Sequence, residues 1–191
     1  MTVKLQQSGF VAKYPLSLRI LHWIRALLIF VLLGSGWYMT DLPEDDVVTL
    51  SFLYPTHKQF GVLVWLLAVL HLALRWRNSS TLPPTPFDLA PWEKWLSHCI
   101  HRLIIAFTLL VPLFGYCMSS SFTQSDGVPF FFISHLPEFL PKNDDAFAVY
   151  RALHKYCAYA LLGCIGLHIA GALKHGLQDK GGATDVLRRM F

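Results

Sequence analysis

Four apolar stretches, near residues 18–39, 57–76, 95–118 and 149–173, constrain this chain more than any other feature of its sequence. Each is long enough to cross a hydrocarbon core, which takes about 20 residues of helix. Charged residues are only 15% of the chain against 54% hydrophobic, too few to clothe a water-soluble protein of this length. In lipid every backbone polar group must be satisfied within its own segment, so the stretches predict helices. The expectation is an all-α, integral membrane four-helix bundle. It fills residues 1–191 as a single transmembrane domain, with nothing left over for a soluble one.

Charge orients that bundle. Twelve of the sixteen lysines and arginines, Arg25 among them, fall on the segments that share a side with the two ends of the chain; Lys58, Lys142, Arg151 and Lys155 fall on the other. Basic residues accumulate on the cytoplasmic side, so both termini are expected there. The inner segments sum to +8, with Asp88 among their few acids, and the outer ones, which hold Asp41, Glu44, Asp45 and Asp46, sum to −4. The net charge of +4 thus reflects membrane topology and implies no nucleic-acid partner. The first apolar segment is as long as a span and ends without a small-x-small cleavage pattern, so the first helix is expected to stay in the mature protein. Cys99, Cys117, Cys157 and Cys164 form no Cys-x-x-Cys pair and read as small packing residues, which argues against a covalently attached haem.

The connections are uneven. Between the second and third spans, Pro83, Pro84, Pro86 and Pro91 fix a short irregular loop at the inner surface. Residues 119–147 form a longer outer loop in which Phe130, Phe131, Phe132 and Phe139 are interspersed with Pro129, Pro137 and Pro141. It is expected to cap the bundle end or lie on the membrane surface.

The histidines carry the chemistry. His154 and His168 stand fourteen residues apart in one apolar stretch. At about 100° and about 1.5 Å per residue they share one helix face, roughly 21 Å apart along the axis. Imidazole is the usual axial ligand of a haem iron, and facing helices of a bundle supply such ligands in pairs. The direction of each span puts His57 at the outer depth of His154, and His22 at the inner depth of His168. A single intramembrane histidine is commonly just bonded to a neighbouring helix, but four at paired depths need a shared explanation. Zinc fits less well, because it wants three or four ligands converging on one ion. Two bis-histidine haem sites follow.

His71, fourteen residues after His57, could by depth and face alone replace His22 opposite His168. Gly34, Gly36, Gly61, Gly163, Gly166 and Gly171 would let a flat macrocycle approach the backbone, or equally let helices pack closely. Pro112 with Gly115 should kink the third span. His98, His101 and His175 gather near the inner surface with Arg75, Arg77, Arg102 and Lys174. That setting suits haem propionates or a quinone site that exchanges protons, and equally an ordinary basic membrane interface. His135 has no evident partner.

Several motifs in order resemble one family: Leu21-His22-Trp23, His57 with Gly61, Pro83-Pro84, His98 and His101 opening the third helix, Gly115-Tyr116, His154, and the tail from His168 through Ala172-Leu173-Lys174-His175 to Leu187-Arg188-Arg189-Met190. The chain resembles the bacterial cytochrome b561 group of dihaem membrane cytochromes. It is also similar to the cytochrome b subunits of formate dehydrogenases and hydrogenases. The resemblance implies two haems b, held by His22 with His168 and by His57 with His154. It further implies electron transfer across the inner membrane between a quinone pool (ubiquinone or menaquinone) and a periplasmic redox protein, for which a c-type cytochrome would suit the acidic outer surface. With His22 as ligand, His71 would donate a hydrogen bond to a haem propionate or a quinone oxygen. Lipid surrounds such a chain, and whether it works alone, as a homodimer or as the anchor of a larger oxidoreductase stays open. An enzymatic alternative is superoxide oxidase, which reduces ubiquinone with electrons from superoxide. The outer charge of −4 opposes an anionic substrate, although Lys58, Arg151 and Lys155 could form a local positive mouth. A haem-free transporter would want broken helix pairs and midplane acids, which are missing here.

Overall fold

The computed structural model describes residues 12–43, 45–84, 89–131, 133–178 and 184–191. Glu44, Pro86, Asp88 and Phe132 lie outside the described residues. Four helices dominate: α1 (Leu16–Thr40), α2 (Tyr54–Arg77, entered through a π-helical turn at Thr49–Leu53), α3 (Pro91–Ser121) and α4 (Asp144–Gln178). Each contains one of the expected spans and extends beyond it, and all four are long and apolar enough to cross a membrane.

Local chemistry sets the boundaries. Asp46 accepts a 2.7 Å bond from the Thr49 backbone N–H, starting the turn into α2; that bond holds its carboxyl below the usual range. At the start of α3, Pro91 takes the first helical position, where no N–H is needed, and the Glu93 carboxylate reaches back 3.0 Å to the Ala90 N–H. Asn143 Oδ1 caps the Ala146 N–H of α4 at 3.0 Å.

The helices pack as a curved row. Contacts are most extensive between α3 and α4, followed by α1 with α2 and α2 with α3, while α4 stands off from α1 and α2 among the described residues. Across that separation the closest-packed layer is Ile29, Val64 and Leu161, supported by Leu28, Leu33, Ile104, Phe107 and Val111. Its place in the sequence is regular. Ile29 comes seven residues after His22, Val64 seven after His57, and Leu161 lies midway between His154 and His168. Seven residues are about two turns, so the apolar layer sits about 10.5 Å from each histidine level and separates them.

Both ends of the bundle are closed by chain outside the spans. At the end of the bundle away from the termini, called outer after the expected topology, β1 (Val128–Phe130) pairs antiparallel with β2 (Ile133–Leu136) and packs on α2. The hairpin turn needs Phe131 at φ +34°, a conformation few non-glycine residues adopt. The Gln59 side chain of α2 accepts the Phe131 N–H at 3.1 Å, and the Phe60 ring meets Phe131 edge-on at 5.5 Å. A cap was expected here without regular structure being assigned to it; within it a short ladder forms, with Gly127, at φ +92°, turning the chain into β1. At the opposite end the Tyr14 N–H and the Trp23 indole N–H bond to the Arg189 and Met190 carbonyls, each at 3.0 Å. The last residues are thereby clamped to the start of α1.

Helices in lipid associate through close packing more than through a hydrophobic driving force. Leu161, 3% exposed in the central layer, should therefore be sensitive to truncation. Leu161→Ala is expected to cost about 2–4 kcal/mol, read as an earlier midpoint in a detergent-denaturation titration followed by helical circular dichroism.

Candidate haem sites

The outer pair comes from α2 and α4. His57 and His154 face each other with ring centres 6.2 Å apart. His154 Nδ1–H donates to the Val111 carbonyl at 2.8 Å. Ser35 gives its own proton to the Leu32 carbonyl at 3.1 Å, so its oxygen accepts the Nδ1–H of His57, also at 3.1 Å. Both rings thus carry their proton on Nδ1 and keep the Nε2 lone pair, as metal-ligating imidazoles do when the other nitrogen is anchored to protein.

Two glycines make this approach possible. A Cβ at Gly115 would stand 3.0 Å from both Nδ1 and Cε1 of His154, and one at Gly36 would stand 3.3 Å from Cε1 of His57. Gly34, Gly61, Gly163, Gly166 and Gly171 would meet nothing within 4 Å. The seven glycines within the expected spans therefore divide into two that admit a histidine ring and five that border open space.

The inner pair comes from α1 and α4. His22 and His168 have ring centres 6.3 Å apart. A metal–imidazole bond of about 2.0 Å, with the ring centre about 1.1 Å behind the nitrogen, spaces two imidazoles on one metal about 6.2 Å centre to centre. Both pairs meet that spacing. Both also span the separation between α4 and the α1–α2 pair, where a planar group needs room. No cluster of three or more histidine, cysteine or acidic ligands is found among the described residues, so the donor set suits two-ligand haem coordination better than a tetrahedral ion.

The other histidines disperse. Among the described residues His71 makes no ring contact with His168; it lies where Arg25, His22 and Arg75 act on it electrostatically. His101 has its ring centre 4.9 Å from that of His168, too close for a shared metal, and donates Nδ1–H to the Ser97 carbonyl at 2.6 Å. His98 turns back in the same way onto the Lys94 carbonyl. His175 approaches Glu93 at 3.9 Å, beside the 2.7 Å ion pair of Lys174 with Glu93. Arg75 is exposed. His135 packs against Gly127 in the outer cap. All four cysteines are free.

Sequence reasoning missed Ser35, Val111 and Arg25. Ser35 sits between the two glycines singled out on α1, at a depth that could have paired it with His57. The Val111 contribution is a backbone carbonyl and leaves no signature. The charge count assigned Arg25 to the inner side of the bundle without noting its burial; the fold leaves it 8% exposed.

Opposed imidazole pairs across the gap of a membrane-spanning helical bundle have the architecture of a b-type membrane cytochrome. The chain belongs to the prokaryotic cytochrome b561 family, whose sequence model matches residues 13–191. It is accordingly a multi-pass, haem b-binding membrane protein of electron transfer. Among curated proteins no match is found.

The contact between Gly115 and His154 gives a direct test. Gly115→Val should push the imidazole out of line with His57 and lower the haem recovered per chain, measured as the pyridine haemochromogen of purified protein. Gly163→Ala, where a Cβ meets open space, serves as the comparison and should retain more haem.

Proposed function

We propose that the chain is a dihaem cytochrome of the bacterial inner membrane. It carries electrons across the bilayer between a quinone, ubiquinone or menaquinone, and a periplasmic redox partner. The observation that carries this reading is the spacing of the two imidazole pairs, 6.2 and 6.3 Å, on levels fourteen residues apart along α4. His57 and His154 would hold one haem b, and His22 and His168 the other. Haem b supplies a one-electron couple at its iron; the protein forms no covalent bond with a substrate.

The side chains do the remaining work. The Val111 carbonyl and Ser35 fix the tautomer of the outer imidazoles, so Nε2 stays unprotonated and available. The hairpin packs on α2 beside that end through the Phe60–Phe131 contact. At the inner end His101 is exposed and lies beside His168, a side chain open to solvent of the kind a quinone site requires. The spacing supports His22 as the partner of His168, which leaves His71 to donate a hydrogen bond to a haem propionate or a quinone oxygen. The positive-inside charge pattern supports cytoplasmic termini, with residues 1–191 acting as one membrane domain.

The superoxide oxidase reading draws little from the geometry. Lys58, one of the three cations it needs, donates to the Gly127 carbonyl at 3.2 Å and interacts with Asp126 and Glu138. Arg151 lies over the Phe147 ring, 5.4 Å from its centre. Lys58 is thus offset by two carboxylates, which weakens the positive mouth that reading needs.

A reduced-minus-oxidised spectrum with haem quantification tests the proposal. Wild type should hold two haems b per chain, His22→Ala and His57→Ala one each, and His71→Ala two. A wild type without haem, prepared with ample haem supply, would sink the reading, and loss confined to His71→Ala would reassign the inner pair.

A further inference from the structure

Arg25 is a cation within the membrane-spanning bundle that has lost its water. It lies on α1 one turn beyond His22, on the buried face shared by Leu18, Leu21 and Ile29. Its Nη2 donates to Thr108 Oγ1 of α3 at 3.2 Å. Thr108 can only accept there, because its single proton is committed to the Ile104 and Ile105 carbonyls, each 2.9 Å away. The Nε of Arg25 is buried and has no hydrogen-bond partner among the described residues, and no carboxylate there acts on the guanidinium. From α2, the buried Nδ1 of His71 is likewise unpartnered, in a ring on which Arg25 acts electrostatically.

A guanidinium presents five N–H groups and does not shed its proton at any ordinary pH. One hydroxyl acceptor satisfies a single N–H and neutralises no charge, and a buried unpaired cation is costly. The two orphaned nitrogens therefore call for an anion with several acceptor lone pairs. A carboxylate matches the planar fork of arginine. The depth identifies its source: Arg25 is three residues from His22 and lies on the inner side of the Ile29, Val64 and Leu161 layer, away from the outer pair.

We propose that Arg25 is a haem-binding residue that holds a propionate carboxylate of the haem between His22 and His168, with His71 donating to the same carboxylate from α2. This rests on the reading of His22 and His168 as a haem pair. Three helices are then joined through one cofactor group, since Thr108 orients the guanidinium from α3. The arginine also acts on the iron. Oxidised haem carries one more positive charge than reduced haem, so a fixed cation nearby favours the reduced form and raises the potential.

The test uses full-length R25Q, R25K and T108V in detergent, with helical circular dichroism as a folding check. Each haem is titrated electrochemically by its visible spectrum, and propionate bending is followed by resonance Raman. In R25Q the midpoint potential of the inner haem should fall, and one propionate band should move, while the outer haem changes less. R25K, which keeps the charge without the fork, should shift the band and lower the potential by a smaller amount. T108V, which removes only the orienting acceptor, should show the smallest change. Wild-type potentials and bands in R25Q, or a shift confined to the outer haem, would overturn the proposal and leave Arg25 as a bond between α1 and α3. If R25Q does not accumulate, an unchanged propionate band in R25K overturns it instead. Failure of the underlying reading looks different: His22→Ala would then retain the full haem content of wild type.

Discussion

An imidazole inside a hydrocarbon bundle must be given a partner, and the arrangement of the four helices follows from that demand. Helix α4 supplies a histidine at each of two levels, and α1 and α2 supply one each. The rings meet at a spacing suited to a shared metal, which requires α4 to stand off from α1 and α2 while remaining packed along α3. With helix α3 as the spine, the structure has room on one side for planar groups and continuous packing on the other. An imidazole in an apolar interior costs free energy unless its nitrogens are engaged; Val111 and Ser35 satisfy Nδ1 of the outer rings, and a shared metal would engage the opposite nitrogens.

The seven-residue interval makes two levels compatible with one core. Because seven residues are nearly two turns, a histidine, an apolar residue and a second histidine or its neighbour share one face on α2 and α4. Ile29, Val64 and Leu161 fill the level between. That layer supplies the packing that the histidine levels cannot, and it keeps the polar groups of the inner level, Arg25 and His71, from reaching the outer pair.

Much of this was legible in the sequence, and what was not has a physical reason. Apolar length gave the four helices, and the fourteen-residue spacing on α4 gave the two levels. Depth matching paired His57 with His154 and left His22 and His71 open, because depth and face do not report how far apart two helices stand. Only the three-dimensional separation puts His22 at 6.3 Å from His168. Gly36 was read as room for a macrocycle or for close helix packing and Gly115 as part of a kink, because sequence does not show that the space beside each holds an imidazole. The hairpin was hidden by its prolines and by a turn that Phe131 closes at positive φ. The burial of Arg25 was not foreseen, because a charge count assigns a residue to a side of the bundle and says nothing of the helix face it occupies, seven residues inside the expected span.

The two levels differ in a way that bears on how each is used. The outer rings are anchored by a carbonyl and a hydroxyl and closely flanked by Gly115 and Gly36, which leaves the imidazoles little freedom to turn. The inner rings lie among Arg25, His71 and His101, groups that bind anions or exchange protons, and His101 reaches solvent. A one-electron exchange with a docking protein needs only a rigid, shielded site near the surface, whereas a quinone exchanges protons with its electrons. Under the proposed function the quinone would therefore be served at the inner level and the redox partner at the outer one, an assignment that rests on side-chain type and burial and is independent of the net charge of either surface.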